Sequence, residues 1–289
     1  MEKPTNLKTK IFLDSGDPGE TKIALALLGF LDGQTTNPSL IAKNPQLKEK
    51  LGAGERLSSD QINEFYKKVV SEISSLVPKG SVSVEVYADS STLAEAMIEQ
   101  AHEMNAWIPN AHIKLPITSA GLETARQLTQ EGIRVNMTLC FSQEQAGAVY
   151  TATSGSMPGQ VYLSPFIGRF DDRGENGMQF IKNVMCMFES SDHHVEVLAA
   201  SVRTYDHFLY CLALGVDIIT APLKILEQWA HKNMELPKEN YVYPVQNLKE
   251  IPYQEIGLEK DFSNYNIQHE LTDAGLSKFV SDWNSLITA

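Results

Sequence analysis

Eight times between residues 10 and 232 a short β-rich run gives way to a longer helical pattern. The β-rich runs are KIFLDSG (10–16), DGQTTN (32–37), SVSVEVYA (81–88), AHIKLPI (111–117), RVNMTLC (134–140), QVYLSPF (160–166), EVLAAS (196–201) and DIITAPL (217–223). Helical patterns follow them in GETKIALALLGF, near 59–76, at 91–104, 119–131, 143–151, 177–189 and 204–214, and in KILEQWAHK. Strands that alternate with helices pair in parallel, because the crossover helix returns each strand to the same end. Eight such units predict a closed (β/α)8 TIM barrel rather than an open sheet. No internal repeat and no Pro/Gly/Ser linker divides the pattern. The composition changes after residue 234. The stretch ELPKENYVYPVQNLKEIPYQEIGLEKDFSNYNIQHE has no helical stripe, whereas LTDAGLSKFVSDWNSL places Leu276, Phe279, Val280 and Trp283 at helical spacing. The expectation is one α/β domain over 1–289, with 235–289 as a C-terminal extension and helix packed on the barrel.

A chain of 289 residues matches one such barrel in size. Its formal net charge of −12 repels nucleic acid and anionic membrane, and no basic block offsets it. Neither is expected as a partner. MEKPTNLKTKIF has no apolar run of leader length, and no stretch reaches the roughly 18 apolar residues of a membrane span. Cys140, Cys186 and Cys211 fit no zinc or redox spacing. A reducing, cytoplasmic setting, no metal, no cofactor and a possible homodimer are the default expectations. Cys140 reads as a small core residue.

Lys114 breaks an otherwise apolar strand, and lysine is rarely buried unless paired or functional. Three readings stand: an edge-strand lysine reaching water, a structural ion pair, or an amine kept dry for chemistry. Strand alternation helps to place it. In SVSVEV the valines 82, 84 and 86 take the helix side, so Glu85 points inward. Ile113 and Leu115 likewise turn Lys114 inward. Val135, Met137 and Leu139 facing out turn Asn136 and Thr138 in. Ser201 and Arg203 share a face, and Asp14 and Asn37 close the first two strands. Barrel enzymes gather their chemistry at the strand C-termini. A purely structural polar network is the competing account, and a demanding one, since every member must find a partner.

Other polar residues have simpler explanations. Asp17 reads as the N-cap of DPGE. His193 and His194, adjacent before the seventh strand, read as loop residues. Lys224 opens the last barrel helix as a solvated or capping residue. Arg169, in a loop after the sixth strand, belongs either to a surface pair with Asp171 or Asp172 or, with Ser201 and Arg203, to an anion site of the kind barrels build near their last strands.

A lysine nucleophile must be neutral, and an exposed lysine, with a pKa of about 10.4, almost never is at pH 7. Burial or a nearby cation favours the neutral amine. Such an amine condenses with a ketone to a Schiff base, whose iminium is an electron sink for cleavage of the adjacent carbon–carbon bond. A carboxylate must take the hydroxyl proton, and a second acid/base must serve the carbinolamine.

FLDSGD, TTNPSL, VEV, IKLPIT, NMTLCFS, SPFIGR and ASVRT, in this order over roughly residues 10–232, resemble the transaldolases, class I aldolase barrels of the pentose phosphate pathway. TTNPSL and SPFIGR are the more specific of these, and the ordered set is stronger than any one. The resemblance implies that Lys114 is the Schiff-base lysine and Asp14 the proton acceptor for cleavage. It implies that Glu85 and Thr138 hold a catalytic water, that Asn37 and Asn136 bind the donor's hydroxyls with Ser164 beside them, and that Arg169, Ser201 and Arg203 bind phosphate. It further implies phosphorylated sugar substrates. A dihydroxyacetone unit would pass from fructose 6-phosphate or sedoheptulose 7-phosphate to glyceraldehyde 3-phosphate or erythrose 4-phosphate. The related fructose-6-phosphate aldolases, which release free dihydroxyacetone, typically carry Gln in place of Glu85 and Tyr in place of Phe166. Both positions here are of the transaldolase kind. Segment 235–270 matches no part of the family pattern. An aldolase of that related type and a non-catalytic phosphosugar-binding barrel are the alternatives.

Overall fold

A computed structural model describes residues 2–53, 57–238, 240–245 and 247–287. Its eight strands are β1 (Lys10–Asp14), β2 (Gly33–Thr35), β3 (Ser81–Glu85), β4 (Ala111–Pro116), β5 (Val135–Cys140), β6 (Val161–Pro165), β7 (Val195–Ala199) and β8 (Ile218–Ala221). Each pairs in parallel with the next, and β8 returns to β1, so the sheet is the closed barrel that the alternation predicts. A closed barrel has no edge strand. Lys114 sits on β4, between β3 and β5, which rules out the edge-lysine reading.

The helices are α1 (Pro18–Leu28), α2 (Pro38–Ile41), α3 (Pro45–Gly52), α4 (Ser59–Leu76), α5 (Ala94–Asn105), α6 (Ser119–Gln130), α7 (Gln143–Ala152), α8 (Ile167–Asp171), α9 (Gly177–Phe188), α10 (Tyr205–Leu214), α11 (Leu223–His231) and α12 (Glu270–Asn284). Helix α4 shows why they form. Ser58 and Gln61 make a reciprocal capping box, and Ile62, Tyr66, Val69, Val70 and Ile73 bury one stripe. Asp17 caps α1, accepting from the Gly19 N–H at 2.8 Å. Three short helices escape periodicity. Helices α2 and α3 are each announced only by an Asn cap followed by proline, at Asn37-Pro38 and Asn44-Pro45. Helix α8 lies where a loop was expected, so Arg169 is helical. Strand β2 ends at Thr35, which leaves Asn37 as a helix cap rather than a strand residue. Helix α5 begins later than residue 91, because the Asp89 carboxylate holds Ser91 and Thr92 in a turn.

Contacts between non-adjacent strands identify the inner face. The rings of Phe12 on β1 and Tyr162 on β6 lie 6.0 Å apart. Ser83 on β3 bonds Asn136 on β5, and Thr35 on β2 bonds Thr220 on β8. Glu85 and Lys114 are register partners, as are Lys114 and Asn136, so the inward alternation holds at these positions. Leu139 departs from it. The register of β5 against β6 shifts between Met137 and Cys140, Leu139 takes φ +62°, and its side chain lies against Gly275 of α12 instead of following Val135 and Met137. A local bulge re-aims a side chain in this way.

Helix α12 crosses the end of the barrel where the strands finish. Thr272 Oγ1 donates to the Leu139 carbonyl at 3.0 Å and accepts from Gln145 Nε2 at 2.8 Å. At the other end Asp282 accepts from Ser39 Oγ on α2. Leu276, Phe279 and Trp283 are buried and Val280 is half-buried. Between α11 and α12 a single 3-10 turn, Phe262–Asn264, is the only helical element among the described residues. That segment is tied down by bonds to the barrel helices, including Asn176 N–H to the Lys249 carbonyl at 2.8 Å and Asn183 Nδ2 to the Ile251 carbonyl at 2.8 Å. No helix among the described residues is long and apolar enough to cross a membrane.

Candidate active site

A cavity of about 230 Å³ opens at the C-terminal end of the strands, beneath α12. Asp14, Lys114, Ser164, Phe166, Arg169, Ser201 and Arg203 line it, seven of the residues that the sequence singles out. Asn37, Glu85, Asn136 and Thr138 stand behind that lining and do not border the cavity.

Lys114 is 3% exposed. Its Nζ lies 3.0 Å from Glu85 Oε2 and donates to the Thr36 carbonyl at 3.3 Å. The rings of Phe166 and Phe279 stand 6.0 and 5.8 Å from it. The amine is therefore both buried and paired, and it borders a cavity. That combination meets two of the three readings of this lysine at once.

The two carboxylates differ. Asp14 is half-buried and accepts from Thr35 Oγ1 at 2.7 Å, and that hydroxyl also meets Thr220 Oγ1 at 2.6 Å. Burial raises its pKa above the ordinary aspartate value, with Lys114 opposing the rise. Glu85 is buried and pushed up to about 6 by loss of solvent, again opposed by Lys114. Its backbone N–H donates to Tyr66 Oη at 2.8 Å, which fixes where the side chain starts. Glu85 Oε2 keeps its ion-pair contact with Lys114 but accepts no aligned hydrogen bond. Thr138 Oγ1, fully buried, also has no hydrogen-bond partner among the described residues. Buried polar atoms in a folded chain are nearly always partnered, so an exception beside a buried amine marks a place that expects a ligand or water.

Asn136 is bound at both ends. Its Nδ2 donates to Ser83 Oγ at 3.0 Å and its Oδ1 accepts from Ser164 Oγ at 2.7 Å. Asn37 spends its Oδ1 capping α2, accepting from the Leu40 N–H at 2.9 Å. Both are held rigidly, a condition for a positioned donor.

Opposite the amine, α8 and the loop after β7 come together. Gly168 donates its N–H to the Ser201 carbonyl at 3.1 Å, and a Cβ on Gly168 would lie 2.3 Å from that oxygen. Only glycine fits there. Ser201 itself has φ +59°. Arg203 pairs with Asp172, while Asp171 goes to His207 and Tyr243. The surface pair considered for Arg169 is thus not formed, and Arg169 faces the cavity with no ion partner among the described residues.

Several lining residues are not singled out by the sequence pattern above. Thr35 and Thr220 were available from the inward alternation. Ser39 and Lys43, from α2 and the turn after it, were not, because that helix is too short to show a period. Lys278, Phe279 and Asp282 come from α12 and reach the site only through the tertiary fold. Lys224 is exposed, as expected of a solvated residue, and lines a separate neighbouring cavity. Cys140 is buried, as expected of a small core residue, and burial pushes its thiol up to about 12. His194 is buried and held by Asp192 at 2.5 Å in the connection before β7. No group of three or more His, Cys, Asp or Glu among the described residues is gathered as a metal site requires.

Comparison with known proteins agrees with this geometry. A family model described as transaldolase/fructose-6-phosphate aldolase matches residues 11–289. A probable transaldolase of Dehalococcoides mccartyi is 34% identical over 277 residues, which span 96% of this chain and 99% of that one. Probable transaldolases of Brucella ovis and of Anaeromyxobacter dehalogenans are 36% identical over 274 residues and 35% over 277. They cover 95% and 96% of this chain, and 96% and 97% of their own. With the barrel, the buried lysine and a match across nearly its whole length, the chain belongs to the transaldolase/fructose-6-phosphate aldolase family.

Proposed function

We propose that this protein is a transaldolase that works through a Schiff base on Lys114. The observation that carries the proposal is a buried amine 3.0 Å from a buried carboxylate, at a cavity that Asp14 and an arginine with no ion partner among the described residues also line. A proton passed from the ammonium to Glu85, whose raised pKa suits it to accept one, leaves a neutral amine beside a neutral acid.

The free amine adds to the C2 carbonyl of a ketose phosphate. Loss of the carbinolamine hydroxyl as water, protonated from the Glu85–Thr138 side through a bridging water, gives the iminium. Asp14 then takes the C4 hydroxyl proton, the C3–C4 bond breaks, and its electron pair moves into the iminium to form an enamine. The aldose phosphate leaves. An incoming aldose phosphate is attacked by the enamine carbon and Asp14 returns the proton to the new hydroxyl. Hydrolysis then releases the product and restores Lys114. Arg169, Ser201 and Arg203 hold the phosphate, and Ser164, on the cavity wall and bonded to Asn136, meets the donor's hydroxyls, with Asn136 and Asn37 supporting that side from behind the lining. Phe166 offers no proton to the enamine, which favours transfer over release of free dihydroxyacetone. The sugars that fit this scheme are those of the pentose phosphate pathway, with fructose 6-phosphate or sedoheptulose 7-phosphate as donor.

Borohydride trapping tests the proposal. Incubation with fructose 6-phosphate followed by reduction should leave a three-carbon adduct on the peptide that contains Lys114, and none on Lys114→Ala. No adduct from folded protein across several ketose phosphates overturns the mechanism. Free dihydroxyacetone formed without an acceptor, at the rate of transfer, points to the aldolase reaction instead.

A further inference from the structure

The two arginines of the proposed phosphate site stand on different elements. Arg169 is on α8, after β6, and Arg203 is on the loop after β7. Something must set their separation, because a phosphate held by two cations is sensitive to the spacing between them. A buried polar trio lies at the junction. His207, in the first turn of α10, is 1% exposed. Its Nδ1 accepts the backbone N–H of Arg203 at 3.4 Å, so its proton is on Nε2. Nε2 donates to Asp171 Oδ2 at 2.7 Å. Tyr243 Oη donates to the same oxygen at 3.1 Å and lies 3.1 Å from Nε2. The other Asp171 oxygen accepts the Gly177 N–H at 3.3 Å. Asp171 ends the helix that carries Arg169, and the next residue, Asp172, pairs with the Arg203 side chain. Among the described residues, His207 is therefore the side chain that binds the Arg203 backbone on one side and the Arg169 helix on the other.

We infer that His207, Asp171 and Tyr243 form a clasp that sets the spacing of Arg169 and Arg203 and thereby the affinity for the phosphorylated end of the substrate. None of the three lines the cavity, so their role is positioning rather than contact. The inference also gives a function to the segment between α11 and α12, to which Tyr243 belongs and which lies within the family match over residues 11–289. It rests on the reading of the arginine pair as a phosphate site.

The test compares fructose 6-phosphate with unphosphorylated fructose as donor, with acceptor held saturating. His207→Asn keeps an acceptor near the Nδ1 position and drops the link to Asp171. His207→Gln keeps an N–H near the Nε2 position. Tyr243→Phe removes one hydroxyl from the extension. His207→Asn should raise KM for fructose 6-phosphate roughly tenfold, the cost of one charge-assisted hydrogen bond, with kcat within about twofold. Its kcat/KM on fructose should not change. His207→Gln should recover most of the loss, and Tyr243→Phe should raise KM by about two- to threefold. An equal loss on both sugars shows general disruption and overturns the clasp, as does an unchanged KM in both His207→Asn and Tyr243→Phe. If His207→Asn does not fold, Tyr243→Phe decides. Arg169→Ala separates the two levels. If it leaves KM for fructose 6-phosphate unchanged, the phosphate site itself is wrong. If it raises KM while the clasp variants do not, only the clasp is wrong.

Discussion

Replacing Thr138 by valine should make the protein more stable and far less active. The Thr138 side chain is fully buried on β5 and its hydroxyl has no hydrogen-bond partner among the described residues. Leaving a buried hydroxyl unpaired costs about 1–3 kcal/mol, and valine puts a methyl group of the same shape in its place. Partial hydration reduces the gain, so the expected stabilisation is about 1 kcal/mol. For 289 residues, with an unfolding entropy of about 2.1 cal/mol/K per residue, that is about 1.5–2 °C in Tm. If the hydroxyl helps to hold the water that serves the carbinolamine, the same substitution should lower kcat by on the order of 10²–10⁴. Denaturant unfolding with a check for two-state behaviour reads the first quantity, and a coupled transfer assay from fructose 6-phosphate reads the second. Opposite signs are the signature of a group kept for chemistry at the expense of stability. A loss of stability above about 1 kcal/mol would show that the hydroxyl has a structural partner. Unchanged kcat would remove Thr138 from the mechanism.

Glu85, pushed up to about 6 by burial, should give kcat/KM an acidic limb near that pH, since the protonated acid cannot accept a proton. In Glu85→Gln the limb should vanish and the plateau fall by on the order of 10²-fold; a limb that survives assigns it to another group. Because burial favours the neutral form, stability from Glu85 is full below the ordinary 4.5 and is lost as pH rises through about 6, a slope that the Gln variant should lack in denaturant titrations. Gly168→Ala puts a methyl group 2.3 Å from the Ser201 carbonyl oxygen. It should cost about 1–3 kcal/mol and raise KM for phosphorylated donors; wild-type stability would show that α8 and the β7 loop are not in tight contact. Of the three cysteines only Cys186 is exposed, while burial raises the thiols of Cys140 and Cys211. Native protein should take up one equivalent of a thiol reagent at pH 8 and keep its activity, and labelling of Cys140 in folded protein would contradict its burial.

Much of the fold was legible because its signals are local. A strand's period of two and a helix's period near 3.6 survive in a single sequence, and eight alternations leave few architectures other than a barrel. The same period of two turned Glu85, Lys114 and Asn136 inward, and those assignments hold. What failed did so for want of a period. Helices α2 and α8, of four and five residues, are too short to show one. Leu139 follows a bulge that resets the alternation, and a bulge depends on the neighbouring strand as much as on its own residues.

By itself, then, the sequence determined the barrel, the inward lysine and the carboxylates at the strand ends, because main-chain geometry ties each of these to its neighbours in the chain. Only the tertiary structure decided that Glu85 is the ion-pair partner of Lys114 and that Asp172 pairs with Arg203. It also decided that Phe279, Lys278 and Asp282 close the cavity from a helix more than 160 residues beyond Lys114 in the chain. Those contacts depend on how separate elements pack against one another, and side-chain patterning within one element carries no information about which distant element will cover it.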